Sequence, residues 1–277
     1  MLYTFAFCVK WVGTSGKALP DTQPDAQPGA QRDGMCLLYL PPRGFILGVM
    51  NSATATIAAY ILVVFLALFA IKRGNARLYA ASKPLLMPFL YLCYAKLLPP
   101  SLAGLPYQRY VLLALLLHTA GDVFLLFPRG KSKHMFYLGM LSFFAGHIFY
   151  TLWFANAPVG HTKRWTVTTI IVCLLVEYLI YRQLMLGPRK DAPKLVPYSM
   201  GLCAVAVSIA STAGNGSPLY ATAVSFAGIC LFFFSDFCIM RRMVRLPLFG
   251  QFTVMSTYIL GQTLIVTGML LMQMPYV

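Results

Sequence analysis

Eight stretches of this 277-residue chain, at roughly 45–71, 82–98, 107–128, 134–156, 165–186, 194–213, 219–240 and 251–273, are apolar over 17 to 27 residues each. A helix rises about 1.5 Å per residue, so ~20 such residues cross the ~30 Å hydrocarbon core of a bilayer. The expected fold is therefore all-α, a bundle of eight transmembrane helices joined by short connections, with the lipid bilayer as its solvent. Composition agrees, because 59% of residues are hydrophobic and only 10% charged. A soluble domain is nearer half apolar and a quarter charged.

The net charge of +15 would suggest nucleic acid in a soluble protein. Here the basic residues fall in short gaps between apolar runs, where they orient helices, and no nucleic-acid partner is expected. The gaps "KRGNAR" (72–77), "PRGKSK" (128–133), "RQLMLGPRKDAPK" (182–194) and "RRMVR" (241–245) hold thirteen basic residues. The opposite gaps hold Arg109, Lys163 and Arg164. The positive-inside rule places the first set in the cytoplasm and both termini outside or in the lumen.

Residues 1–44 differ from the rest. The opening "MLYTFAFCVKWV" is too short to span, and "GTSGKALPDTQPDAQPGAQRDG" has almost nothing to bury. The expected organisation is a disordered tail over 1–44 and a transmembrane domain over 45–277. The second and sixth runs are short and carry Pro84, Pro88 and Pro197, which predicts tilt or a kink there. Seven cysteines, an odd number without C-x-x-C spacing, read as small buried residues and offer neither a disulfide framework nor a metal site.

Of seven acidic residues, only Asp122, Glu177 and Asp236 lie inside the apolar runs. An ionisable group at the bilayer centre costs about 2.5–3.5 kcal/mol on insertion scales, so it faces the bundle interior and has work to do. Asp122 stands ~9 Å and Asp236 ~7.5 Å from the cytoplasmic ends of their helices, counted at 1.5 Å per residue. Lys83 opens the second run on the same side. Three ionisable groups from three helices thus reach similar depth, which predicts one shared site. The structural alternative is that Asp122 pairs with Lys83 to lock the bundle. His147 and Gln262 lie deeper, about 13 residues from the cytoplasmic start of their helices, as candidates for a cavity floor. His118, four residues before Asp122, shares its helix face. Tyr258 lies on the helix of Gln262 and is a further candidate for binding substrate. Glu177, with Tyr178 and Tyr181, reads as a polar cluster between helices.

A faint repeat links the two halves. Gly121-Asp122 corresponds to Ser235-Asp236, Gly146-His147 to Gly261-Gln262, and Lys83-Pro84 to Lys194 and Pro197. Three landmarks in one order suggest two four-helix halves in parallel orientation. They predict that Asp122 and Asp236 face each other across a central cavity.

The pieces "SKPLLM" (82–87), "AGDVFLLF" (120–127), "FFAGHIFYTLWF" (143–154), "FFFSDFCIM" (232–240) and "MSTYILGQTLIV" (255–266) form an ordered set. The set resembles the lysoplasmalogenase family, the YhhN-like multi-pass membrane proteins. The resemblance implies an eight-helix enzyme that cleaves the vinyl ether bond of lysoplasmalogen to a fatty aldehyde and a glycerophospho-base, without a cofactor. It implies an endoplasmic reticulum membrane, by similarity to eukaryotic members. By motif match, Asp122 and Asp236 are the candidate catalytic residues, with Lys83, His147 and Gln262 in support. Residues 1–44 and Glu177 stand outside the pattern.

The residue types suit that chemistry. Vinyl ether hydrolysis needs a proton delivered to carbon, then water added to an oxocarbenium-like species. One protonated carboxyl and one carboxylate serve those steps, as in glycosidases. The two aspartates form an acid/base pair whose internal assignment the sequence leaves open, and Lys83 is placed to hold a lipid phosphate. An ion-coupled transporter, with the aspartates carrying protons, is the alternative. An intramembrane aspartyl protease fits less well, because "TAGD" and "SD" depart from that family's pattern.

Overall fold

A computed structural model describes residues 43–127, 133–158, 160–186, 196–214, 217–243 and 245–274. The predicted tail falls outside the described residues except for its last two positions. The described chain is all-α. Helix α1 spans Arg43–Lys72, α2 spans Ala76–Ser82, and a 3-10 turn over Lys83–Leu85 leads into α3, Leu86–Leu97. A single turn, α4, covers Pro100–Ala103. Then come α5 (Gln108–Phe124), α6 (Lys133–Asn156), α7 (Lys163–Met185), α8 (Val196–Ser211), α9 (Leu219–Met243) and α10 (Gln251–Gln273).

Among the described residues, each predicted apolar run holds a helix. Five helices among the described residues are long and apolar enough to cross a membrane: α1, α6, α7, α9 and α10. The protein is an integral multi-pass membrane protein. The second, third and sixth runs form shorter helices, with α3 of 12 residues, α5 of 17 and α8 of 16.

The prolines act in two ways. Pro84 has no N–H and its ring clashes with the preceding turn. There α2 gives way to the 3-10 turn, which carries Lys83 into the interior. Pro88 and Pro197 instead sit in the first turns of α3 and α8, where no intrahelical N–H bond is lost. Pro197 therefore opens a helix and kinks none.

Packing is closest between α9 and α10 and between α5 and α6, while α8 joins α6, α7 and α9. Helix α7 is the outlier, with Ile171, Leu174, Leu175 and Tyr178 exposed as a lipid-facing side would be. At the end of the bundle remote from the basic gaps, Tyr94 of α3 donates to Gln108 of α5. Gln108 donates to Gln273 of α10, which donates back to Tyr94 at 3.2 Å. This triangle ties three helices together at one face and satisfies the buried amides.

Small residues set the α9–α10 spacing, as expected where lipid supplies no hydrophobic drive between helices. A methyl added at Gly261 would lie 2.8 Å from the Phe232 nitrogen and 2.9 Å from the Gly228 oxygen. Both are backbone atoms that cannot rotate away. Gly261→Ala is expected to cost about 1–3 kcal/mol, the usual range for overpacking. Thermal unfolding in detergent measures it, with Gly250→Ala as the control, since no atom lies within 4 Å of a methyl there. Equal midpoints for the two variants would contradict this account of the interface.

Candidate active site

Seven helical segments, α2, the 3-10 turn, α5, α6, α8, α9 and α10, deliver side chains to one cavity of about 290 Å³. Asp122, near the C-terminal end of α5, is 1% exposed, and Asp236 of α9 is 6% exposed. Both line the cavity, together with Lys83 of the 3-10 turn, Tyr198 of α8, and Tyr258 of α10. Leu125, Phe136, Met140, Phe143, Ile239 and Met240 make apolar walls. Phe127, Arg242 and Gln251 join the lining from helix ends beside the basic gaps.

The two aspartates have different partners. The Lys83 ammonium lies 3.2 Å from Asp122 Oδ1, and the Tyr258 hydroxyl donates to Asp122 Oδ2 at 2.8 Å. Asp122 thus meets a cation and a phenol. The ion pair anticipated as a structural alternative is present, and its members still line the cavity. Asp236 receives a hydrogen bond from the Tyr198 hydroxyl on Oδ2. Next to it, Ser235 Oγ donates to the Val254 carbonyl at 2.9 Å and pins α9 to α10 at this level.

The sequence reading missed Tyr198. Its signal was present but weak: it follows Pro197 at the opening of the sixth run, much as Lys83 precedes Pro84 at the opening of the second. In each case the residue beside that proline reaches the aspartate of the next run.

His147 and Gln262 stand elsewhere. Neither lines the cavity, and both are fully buried behind Phe143 and Phe232. Gln262 Nε2 donates to His118 Nδ1 at 3.0 Å, and the Tyr150 hydroxyl donates to Gln262 Oε1 at 2.7 Å. The rings of His118 and His147 lie 5.3 Å apart, and among the described residues neither His147 nitrogen has a hydrogen-bond partner. The expected floor is thus a second polar layer, separated from the cavity by aromatic rings. Phe232 packs edge-on against Tyr258 at 5.4 Å and against His147 at 5.0 Å.

A methyl at Gly146 would meet His118, four residues before Asp122, and a methyl at Gly261 would meet Phe232, four residues before Asp236. Glu177 lies apart, on α7, accepting hydrogen bonds from Ser199 at 2.7 Å and Cys203 at 3.3 Å. It joins α7 to α8, while Tyr178 and Tyr181 point outward. Among the described residues, no three His, Cys, Asp or Glu side chains group as metal ligands would.

No curated protein and no solved structure matches this chain. The sequence model of the YhhN family matches residues 78–269, which hold every cavity residue named above. That match covers well over half of the 277 residues, so the chain belongs to the YhhN family.

Proposed function

We propose that this protein hydrolyses the vinyl ether bond of a lysoplasmalogen, releasing a fatty aldehyde and a glycerophospho-base. The observation that carries the reading is the pair of buried carboxylates brought from two helices to one cavity. Family membership supports the reaction class. The apolar walls suit a lipid tail, and the polar end suits its ether linkage.

The partners divide the roles. A cation at 3.2 Å and a donated phenol favour the carboxylate form of Asp122. Both aspartates receive a phenol, so the ion pair makes the difference: Asp236, which has none among the described residues, is the one that carries the proton in this reading. Asp236 delivers that proton to the outer vinyl carbon, and the ether-bearing carbon becomes an oxocarbenium ion. Asp122 takes a proton from water as the water oxygen bonds to that carbon, giving a neutral hemiacetal. On collapse, the hemiacetal hydroxyl returns its proton to Asp236, and Asp122 protonates the departing glycerol oxygen. One water is consumed, and both carboxyls return to their starting states.

The same reading includes eight membrane crossings in two parallel four-helix halves, with both termini lumenal in the endoplasmic reticulum membrane. The 17 residues of α5 reach the lower end of the spanning range, and the matching glycine contacts support the repeat.

Purified protein given lysoplasmalogen or an ordinary acyl lysophospholipid tests the reaction. Aldehyde is expected from the first alone. Proton-coupled uptake into proteoliposomes without lipid turnover would overturn the reading in favour of transport. Tyr198→Phe removes the hydrogen bond to Asp236, which becomes charge-assisted only as Asp236 gives up its proton, and is expected to lower kcat about tenfold. An unchanged kcat in that variant would remove Tyr198 from the mechanism.

A further inference from the structure

Lys83, placed by the sequence as a phosphate holder, is buried with its ammonium on Asp122. A different cation stands where a lipid headgroup would lie. Arg242 lines the cavity from the last turn of α9, six residues beyond Asp236 and beside Gln251 at the start of α10. We infer that Arg242 is the phosphate-recognition residue of this cavity, and that its ligand is the phosphodiester of a single-chain lipid. The inference rests on the proposed reaction for its choice of lipid.

Three observations carry it. The first is position: six helical residues rise ~9 Å, so Arg242 sits that far above the proposed acid. Six bonds separate the phosphorus of a lysoplasmalogen from its ether-bearing vinyl carbon. At about 1.2 Å of advance per bond they span ~7 Å. A phosphate held by the guanidinium therefore brings the vinyl ether to the level of Asp236. The second is charge. Lys83 and Asp122 offset each other, so Arg242 supplies the net positive charge at the mouth. The third is donor capacity. Arg242 Nη2 donates to the Phe249 carbonyl at 2.9 Å, and a guanidinium has five N–H groups in a fork that matches phosphate. Arg241 is differently used, bonded to the Leu246 carbonyl and to Gln183, and does not line the cavity.

The test compares purified wild type, Arg242→Gln and Arg241→Gln on two substrates, a 1-alkenyl lysophospholipid and the phosphate-free 1-alkenylglycerol. In Arg242→Gln, KM for the phospholipid is expected to rise about 10–100-fold, the size of a charge-assisted pair, with little change in kcat. KM for the alkenylglycerol should move less than about twofold on the same reasoning. Arg241→Gln, which loosens the same loop, should preserve the discrimination. If Arg242→Gln impairs both substrates equally, or both arginine variants behave alike, Arg242 is a loop clamp and the inference is overturned. Binding of a non-hydrolysable 1-alkyl lysophospholipid, read by calorimetry in micelles, separates this inference from the reaction. Binding that depends on Arg242, without aldehyde release from the alkenyl lipid, would retain the phosphate site and sink the hydrolase. Aldehyde release indifferent to Arg242 would do the reverse. Inorganic phosphate that displaced the lipid at equal concentration would assign the site to free phosphate and overturn the lipid inference.

Discussion

Asp236→Asn is expected to lower aldehyde release from lysoplasmalogen by about 10²–10⁴-fold, the usual contribution of a general acid. The substitution is nearly isosteric, and the amide oxygen still accepts from Tyr198, so the cavity should keep its shape. What disappears is the proton that an amide cannot deliver to carbon. KM should change little, because the loss falls on the chemical step. Asp122→Asn is expected to be as inactive, but it also strands the buried Lys83 ammonium, so its activity loss mixes chemistry with stability. Asp236→Asn is the cleaner probe. An Asp236→Asn protein that inserts normally and releases aldehyde at the wild-type rate would end the acid/base account.

The second large effect concerns stability. Lys83→Met is expected to destabilise the protein by about 3–5 kcal/mol, the range seen when one partner of a buried ion pair is removed. The side chains are 8% and 1% exposed, so the little water that the cavity admits replaces the ammonium poorly. The double variant Lys83→Met/Asp122→Asn removes the stranded charge and should recover much of the loss while remaining inactive. Thermal unfolding of the three proteins in one detergent measures both expectations. A Lys83→Met midpoint equal to wild type would mean that the ion pair contributes nothing to the bundle. A double variant no more stable than Lys83→Met would show that the loss comes from packing around the lysine.

Much of the site was legible because ionisable groups are rare in apolar runs. Burial of Asp122 or Asp236 without work to do is costly, so their presence alone marked them, and counting residues from the basic gaps put them at one depth. Lys83 followed from the same count. The fold class was legible for the related reason that runs of this length and apolarity have few alternatives. Tyr198 escaped because tyrosine is ordinary in membrane helices, and hydropathy does not separate one facing a carboxylate from one facing lipid. His147 and Gln262, expected to form a cavity floor, do not line the cavity. Whether Phe143 and Phe232 stand between them and the cavity depends on helix rotation.

The sequence by itself determined the all-α class, the helical runs, the charge asymmetry between gaps and the few polar groups that must find partners inside. Those properties follow from transfer free energies of single residues and need no knowledge of neighbours. Only the tertiary structure decided which partners were found. Tyr258 meets Asp122 across 136 positions, and Tyr198 meets Asp236 across 38. Lys83 turns inward at a proline break, and Arg242 lines the same cavity. A helix apolar on every side carries no periodic signal to set its rotation. Close packing at Gly228 and Gly261, and the hydrogen bonds of the buried polar groups, set it instead.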